Sequence, residues 1–320
     1  MGRRRSRTLN LAIGFALVGI TAAPAADAPL RAQDWLAPQA DLVRVLTTDP
    51  RECLSPTPDP QVWLAVEIGR AAFRTPTVLG GQAARAGLTC ETCHRSGRGN
   101  RDFLFPGVSG PAGTADVTSS LFSSHRGDGL DDPVPIPDLS GDRAGLKVAP
   151  ADLTPFLHSL ITEEFDGPEP PAAVLAGLAA YVASLSPDAC PRADAHPITV
   201  MALMADARRA IAAADALAAR GDRAAAVVMI AAARARLFLI DERYGALPRE
   251  RRRLRAADRR LAQIAQALRE DRPTARRDLA RWSSDSVKLE AALTRREARS
   301  LFDPKLLAVA TGRRLPRQPS

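Results

Sequence analysis

The pentapeptide Cys90-Glu91-Thr92-Cys93-His94 constrains this chain more than any other stretch of its 320 residues. Two thiols three positions apart share one turn of backbone, and the imidazole directly after them extends the same set of soft ligands. A zinc site needs a second close pair of ligands, and the only other cysteines, Cys53 and Cys190, stand far apart in sequence. A thioredoxin-like dithiol sits after a strand in a βαβ pattern, and no such alternation surrounds residue 90. Both of those chemistries fit poorly.

The compartment narrows the choice further. Arg3, Arg4, Arg5 and Arg7 form a basic start, and Leu9 to Ile20 form an apolar run shorter than a comfortable membrane span. Ala23-Pro24-Ala25 and Ala26-Asp27-Ala28 both fit small-x-small cleavage. Residues 1–28 therefore read as a signal peptide, with a retained membrane anchor as the alternative, and the chain is expected in the periplasm. The segment has no cysteine for a lipid anchor. In an exported chain, Cys-x-x-Cys-His is the attachment pattern for c-type haem. Cys90 and Cys93 are placed to reach the two vinyl groups of one porphyrin, and His94 then falls under the iron as its proximal ligand. One covalently attached haem c is expected, because the motif occurs once.

In an oxidising compartment the two leftover cysteines, Cys53 and Cys190, read most simply as a disulfide. Such a bond closes a loop of over a hundred residues and stabilises by ~4 kcal/mol on the chain-entropy account. Two buried free thiols are the alternative.

Charge divides the chain. Residues 27–200 hold 13 Lys and Arg against 22 Asp and Glu, a net of −9. Residues 201–320 hold 27 against 14, a net of +13. This break predicts an acidic unit over 29–196, a basic one over 197–310 and a tail over 311–320. The chain is 46% hydrophobic but only 4% aromatic, so much of its core must be built from small and aliphatic side chains on helices.

Around the haem motif run Phe73-Arg74-Thr75-Pro76, then Leu79-Gly80-Gly81-Gln82-Ala83-Ala84-Arg85-Ala86-Gly87-Leu88-Thr89, and afterwards Ser96-Gly97-Arg98-Gly99-Asn100. This stretch resembles class I c-type cytochrome domains, in particular the haem-binding halves of bacterial di-haem cytochrome c peroxidases. The resemblance covers roughly residues 60–186 and is specific at the haem motif. It implies a mainly α fold, with a cytochrome c-like haem domain ahead of the basic unit. Residues 172–185 are similar to the C-terminal helix that packs across the N-terminal helix in that class, with Tyr181 near the porphyrin. Pro106 to Pro150, rich in Pro, Gly and Asp, reads as a long loop wrapping the haem.

The chain departs from the resemblance in two respects. It has no second Cys-x-x-Cys-His, so a two-haem peroxidase mechanism is closed to this polypeptide alone, and it has no Met between His94 and Met201 to serve as second axial ligand. His158 is the first distal candidate, on a helix capped by Asp152 whose Leu153, Phe156, Leu157, Leu160, Ile161 and Phe165 form an apolar face. His125, in His125-Arg126-Gly127-Asp128, is the alternative. His196 at the unit boundary, a Met from the basic unit and an open position remain.

In the basic unit, helices are predicted over 199–220 and 222–244, stopped by Gly221 and Gly245. A third runs from Pro248 to before Pro273, and a fourth spans 274–301, broken near Ser283-Ser284-Asp285. Short connections imply a helical bundle or hairpin array. The run Arg251-Arg252-Arg253-Leu254-Arg255 lacks aromatic interleaving, so nucleic acid is not the expected partner. A redox partner protein, an acidic protein or an anionic membrane surface suits it better, with a merely solvated helix face as the plain alternative. An electron carrier is the first expectation. A peroxidase-like haem enzyme with an open or displaceable distal position is the second.

Overall fold

A computed structural model describes residues 30–118, 121–125, 129–141, 148–190 and 195–312. The leader read over 1–28, Arg126-Gly127-Asp128 and most of the tail lie outside the described residues. The described chain is mainly helical, as expected. A 3-10 turn, Arg31–Trp35, leads to α1 (Leu42–Thr47) and the short strand β1 (Thr48–Pro50). Four helices follow: α2 (Pro60–Phe73), α3 (Pro76–Leu79), α4 (Gly81–Ala86) and the single turn α5 (Cys90–Cys93). The loop after α5 carries the two-residue strands β2 (Thr114–Ala115) and β3 (Val134–Pro135), paired antiparallel. Then come α6 (Leu153–Ser159), α7 (Ala172–Ser184) and the strand β4 (Ala195–Pro197). The chain continues through α8 (Val200–Ala219), α9 (Arg223–Arg243), α10 (Pro248–Arg269), α11 (Ala275–Thr294) and α12 (Pro304–Ala310).

Local chemistry accounts for α2 and α7. Asp59 caps α2 by accepting from Gln61 N at 2.8 Å, and Pro60 fills the first helical position, where no donor is needed. In α7 the buried residues Val174, Gly177, Leu178, Tyr181 and Val182 recur on one face. That face lies across α2, where Gly69 and Gly177 let the two backbones touch. The 172–185 helix therefore packs directly on α2.

The basic unit is a four-helix bundle. α8 packs on α9, α9 on α10, α10 on α11, and α11 closes back onto α8. Thr199 and Asp222 cap α8 and α9 through Ala202 N and Ala225 N, at 3.1 and 3.0 Å. Ala207, Ala210, Ala214, Ala225, Ala226 and Ala233 are buried, so α8 and α9 approach on small side chains, as the scarcity of aromatics requires.

Four details correct the sequence reading. α11 runs unbroken through Ser283-Ser284-Asp285, because Ser284 and Ser286 hydroxyls donate back to the Ala280 and Ser283 carbonyls instead of opening the helix. It ends at Thr294, short of 301, and the unpredicted α12 follows, capped by Asp303 and opened by Pro304. Asp152 makes no side-chain cap, since a 3-10 turn, Pro150–Asp152, feeds directly into α6. Phe156 is 40% exposed, because Leu157 and Ile161 take the core row and Phe156 falls a third of a turn away.

The charge boundary near 197 coincides with β4, which pairs antiparallel with β1, Asp49 opposite His196. The hydrophobic core crosses it without a gap: Val66, Phe73, Leu178 and Tyr181 belong to the same cluster as Met204, Ile211, Ile230 and Leu237. Cys53 and Cys190 form the anticipated disulfide.

Candidate functional site

α5 exists because its first residue is capped from both directions. Thr92 N donates to Thr89 Oγ1 at 3.2 Å, and Thr89 N donates to Thr92 Oγ1 at 3.0 Å. Asn100, 4% exposed, donates from Nδ2 to Thr92 O at 2.8 Å and holds the turn from the following loop. Cys90 and Cys93 thereby lie against a second apolar cluster, formed by Leu79, Ala83, Leu88, Phe103, Phe122 and Phe165. Phe122 links Phe105 and Phe165 in a chain of ring contacts, with centroids 5.7 and 5.5 Å apart.

Burial pushes both thiols up to about 12. They are protonated at neutral pH and so are poor free nucleophiles for dithiol exchange. Among the described residues no group of three or more His, Cys, Asp or Glu is placed to hold a metal ion.

His94 pairs its Nδ1 with the Pro137 carbonyl at 3.1 Å. A carbonyl only accepts, so Nδ1 carries the proton and Nε2 keeps its lone pair. Burial lowers the imidazole to about 4, leaving it neutral at pH 7, as a metal ligand must be. The long loop is what delivers Pro137: it returns to the Cys90–His94 segment, with Leu139 N donating to Gly97 O at 3.0 Å. Two thiols on one turn, a neutral imidazole with Nε2 unspent and an apolar wall form a donor set that fits haem c.

Behind the turn lies a buried ionic network that nothing in the sequence pattern marked. Arg74, at the end of α2, reaches Glu52 at 2.5 Å, Glu91 at 2.9 Å and Asp206 of α8 at 3.4 Å. Arg70 also pairs with Glu52, and Tyr181 donates to that carboxylate at 2.9 Å. Tyr181 is fully buried, with its ring 5.1 Å from Phe73, and it serves here as a polar anchor. Arg236 of α9 lies 3.6 Å from Glu91 and donates to the Arg74 carbonyl at 2.8 Å. Glu91 thus stands between Cys90 and Cys93 on one side and the helical bundle on the other. A cavity of about 760 Å³ opens on this side of the turn, between Glu91, Thr92 and Asn100 and the α9 residues Arg236 and Phe238; Cys90, Cys93 and His94 do not line it.

The distal candidates take other positions. His158 Nε2 faces the Glu169 carboxylate at 2.9 Å, on a side chain 39% exposed. His125 Nδ1 meets Asp166 at 2.8 Å, on a side chain 65% exposed. His196 is half-buried in β4, and its Nδ1 has no partner among the described residues. The side chains packed directly on Cys90 and Cys93 in the second cluster are apolar. No known family, curated protein or solved structure matches this chain, so its chemistry is read from this geometry.

Proposed function

We propose that the chain is an exported mono-haem c-type cytochrome that passes single electrons between partner proteins. One observation carries the reading: a single capped turn presents Cys90 and Cys93 to an apolar cluster, while Pro137 fixes His94 in the tautomer that leaves Nε2 for iron. The packing of α7 on α2 is in keeping with the resemblance of residues 60–186 to class I cytochrome domains. When bound, haem supplies a one-electron Fe(III)/Fe(II) couple. Cys90 and Cys93 would tether it and His94 would ligate its iron, with the apolar cluster of Phe122 and Phe165 beside the two thiols. The basic bundle offers a docking surface for an acidic redox partner or an anionic membrane surface, in the periplasm.

A second reading, a peroxidase-like haem enzyme, draws on the distal side. His125 and His158 are each engaged by a surface carboxylate, which suits an open or displaceable sixth position. The test is spectroscopic. Protein made with a haem-maturation system should keep its haem after acidic organic extraction. The carrier reading expects a low-spin ferric spectrum without the near-red Met band, and His158→Ala should turn it high-spin. A high-spin ferric spectrum that changes with cyanide or peroxide overturns the carrier reading in favour of the enzyme. An H158A protein that stays low-spin removes His158 as the ligand.

A further inference from the structure

The helical bundle does more than share a core with the haem unit, because one of its side chains reaches the haem-attachment turn. Glu91 lies between the two tethering cysteines, and its carboxylate is 19% exposed. Its cationic neighbours are Arg74, 8% exposed, and Arg236, 11% exposed. Arg74 divides its guanidinium among Glu52, Glu91 and Asp206. Arg236 has no other carboxylate within 4 Å among the described residues, and its second contact is the neutral carbonyl of Arg74. The charge on Glu91 is therefore met from two sides, by Arg74 at 2.9 Å and by Arg236 of α9 at 3.6 Å, and Arg236 is the one of the two that the bundle supplies.

We infer that Arg236 is an electrostatic positioning residue for the haem, acting through Glu91: the bundle sets the reduction potential of the iron by neutralising a carboxylate fixed in the attachment turn. This rests on the haem reading above. Charges excluded from water act strongly over short distances, and haem potentials respond to nearby charge, burial and hydrogen bonding. A bare Glu91 carboxylate favours the more positive ferric state and lowers the potential. Arg236 opposes it. The same pair locks the bundle to the turn, so the docking of the two units and the potential are linked.

The sign of the effect gives the test. Haem-loaded full-length protein is titrated by spectroelectrochemistry in the wild type, Arg236→Gln, Arg236→Lys, Glu91→Gln and the Arg236→Gln/Glu91→Gln double variant. Arg236 lines the cavity, which leaves room for these replacements. R236Q should lower the midpoint potential and E91Q should raise it. The double variant should return toward the wild type, and R236K should stay near it. A purely structural role, which loosens the turn and admits water, moves R236Q and E91Q in the same direction. That result, or no shift in either, overturns the inference. If R236Q fails to mature, Arg236→Met, which keeps the apolar stem and removes the charge, takes its place: a lower potential supports the inference and a rise or no shift refutes it. A wild-type protein that carries no covalent haem sinks the proposed function itself, an outcome distinct from loaded variants whose potentials do not differ.

Discussion

Gly69 of α2 lies against Gly177 of α7 so closely that a β-carbon on Gly69 would overlap the Gly177 carbonyl oxygen. On the other side, a β-carbon on Gly177 would sit 2.8 Å from Ile68 Cγ2 and 2.9 Å from Gly69 N. The obstacle is backbone, which cannot swing aside as the end of a long side chain does. Gly69→Ala must push the helices apart and strain the contact between Phe73 and Tyr181. We expect a loss of about 1–3 kcal/mol, the usual cost of overpacking a tight core. Chemical denaturation measures it, with Val62→Ala, exposed on the same helix, as the control expected to change little. A Gly69→Ala protein as stable as that control would show that the helices cross elsewhere.

The parts of the fold that sequence discloses are those written in neighbouring residues. Thr199, Gly221, Asp222, Gly245 and Pro248 bracket α8, α9 and the start of α10 through caps and stops, and the structure places the helix ends within a residue or two of them. The Cys90–His94 turn is legible for the same reason: its three donors, Cys90, Cys93 and His94, lie within five residues. The ionic network is not, because Glu52, Arg74, Glu91, Asp206 and Arg236 come from five separated stretches and only the packing of α2, α8 and α9 brings them together. Pro137 is equally silent, since its contribution is a carbonyl that every residue possesses. Ser283 and Ser284 misled in the opposite way: a pair that often ends helices is accommodated here by hydroxyl donation to carbonyls a turn earlier.

The disulfide and the proposed haem attachment together set a thiol count. Cys53 and Cys190 are joined, and Cys90 and Cys93 are free of any disulfide. Denatured, unreduced protein lacking haem should expose two reactive thiols, and haem-loaded protein should expose none. Replacing both Cys53 and Cys190 by Ser should cost about 5 kcal/mol on the chain-entropy account, because the bond closes a long loop in the unfolded chain. Haem attachment should survive, since neither residue lies in the second apolar cluster. Four thiols in the unloaded protein would disprove the pairing.

Arg252 and Arg253 are exposed on α10, while Arg251 beside them is spent on Asp241 at 3.0 Å. Basic residues near an anionic surface contribute about 1 kcal/mol each, screened by salt. Reversing both to Glu should weaken binding to phosphatidylglycerol-containing vesicles at low salt and leave the melting temperature unchanged. Flotation or surface plasmon resonance reads the binding. Vesicle binding equal to that of the wild type would leave these arginines as a solvated helix face.

The ionic network also makes stability depend on acid, with Glu52 at its centre. Burial by itself raises this carboxyl. The guanidinium groups of Arg74 and Arg70, with hydrogen bonds from Arg70 and Tyr181, outweigh it and hold Glu52 down from 4.5 to about 2. A group depressed in the folded state stabilises the fold wherever the unfolded chain would bind the proton first. The contribution is therefore complete above pH ~4.5 and disappears as pH falls toward ~2. A shift of this size corresponds to about 3 kcal/mol. Urea unfolding followed between pH 6 and 2 should show the loss across that window, and Glu52→Gln should flatten it while lowering stability at pH 6. Because Arg74 also holds Glu91, the acid transition should weaken the grip of α2 on the haem turn, and the haem absorption should change in the same window. A Glu52→Gln protein with the same acid profile as the wild type would place the transition on other carboxylates, with Asp206, also held below its ordinary range by Arg74, the next to test.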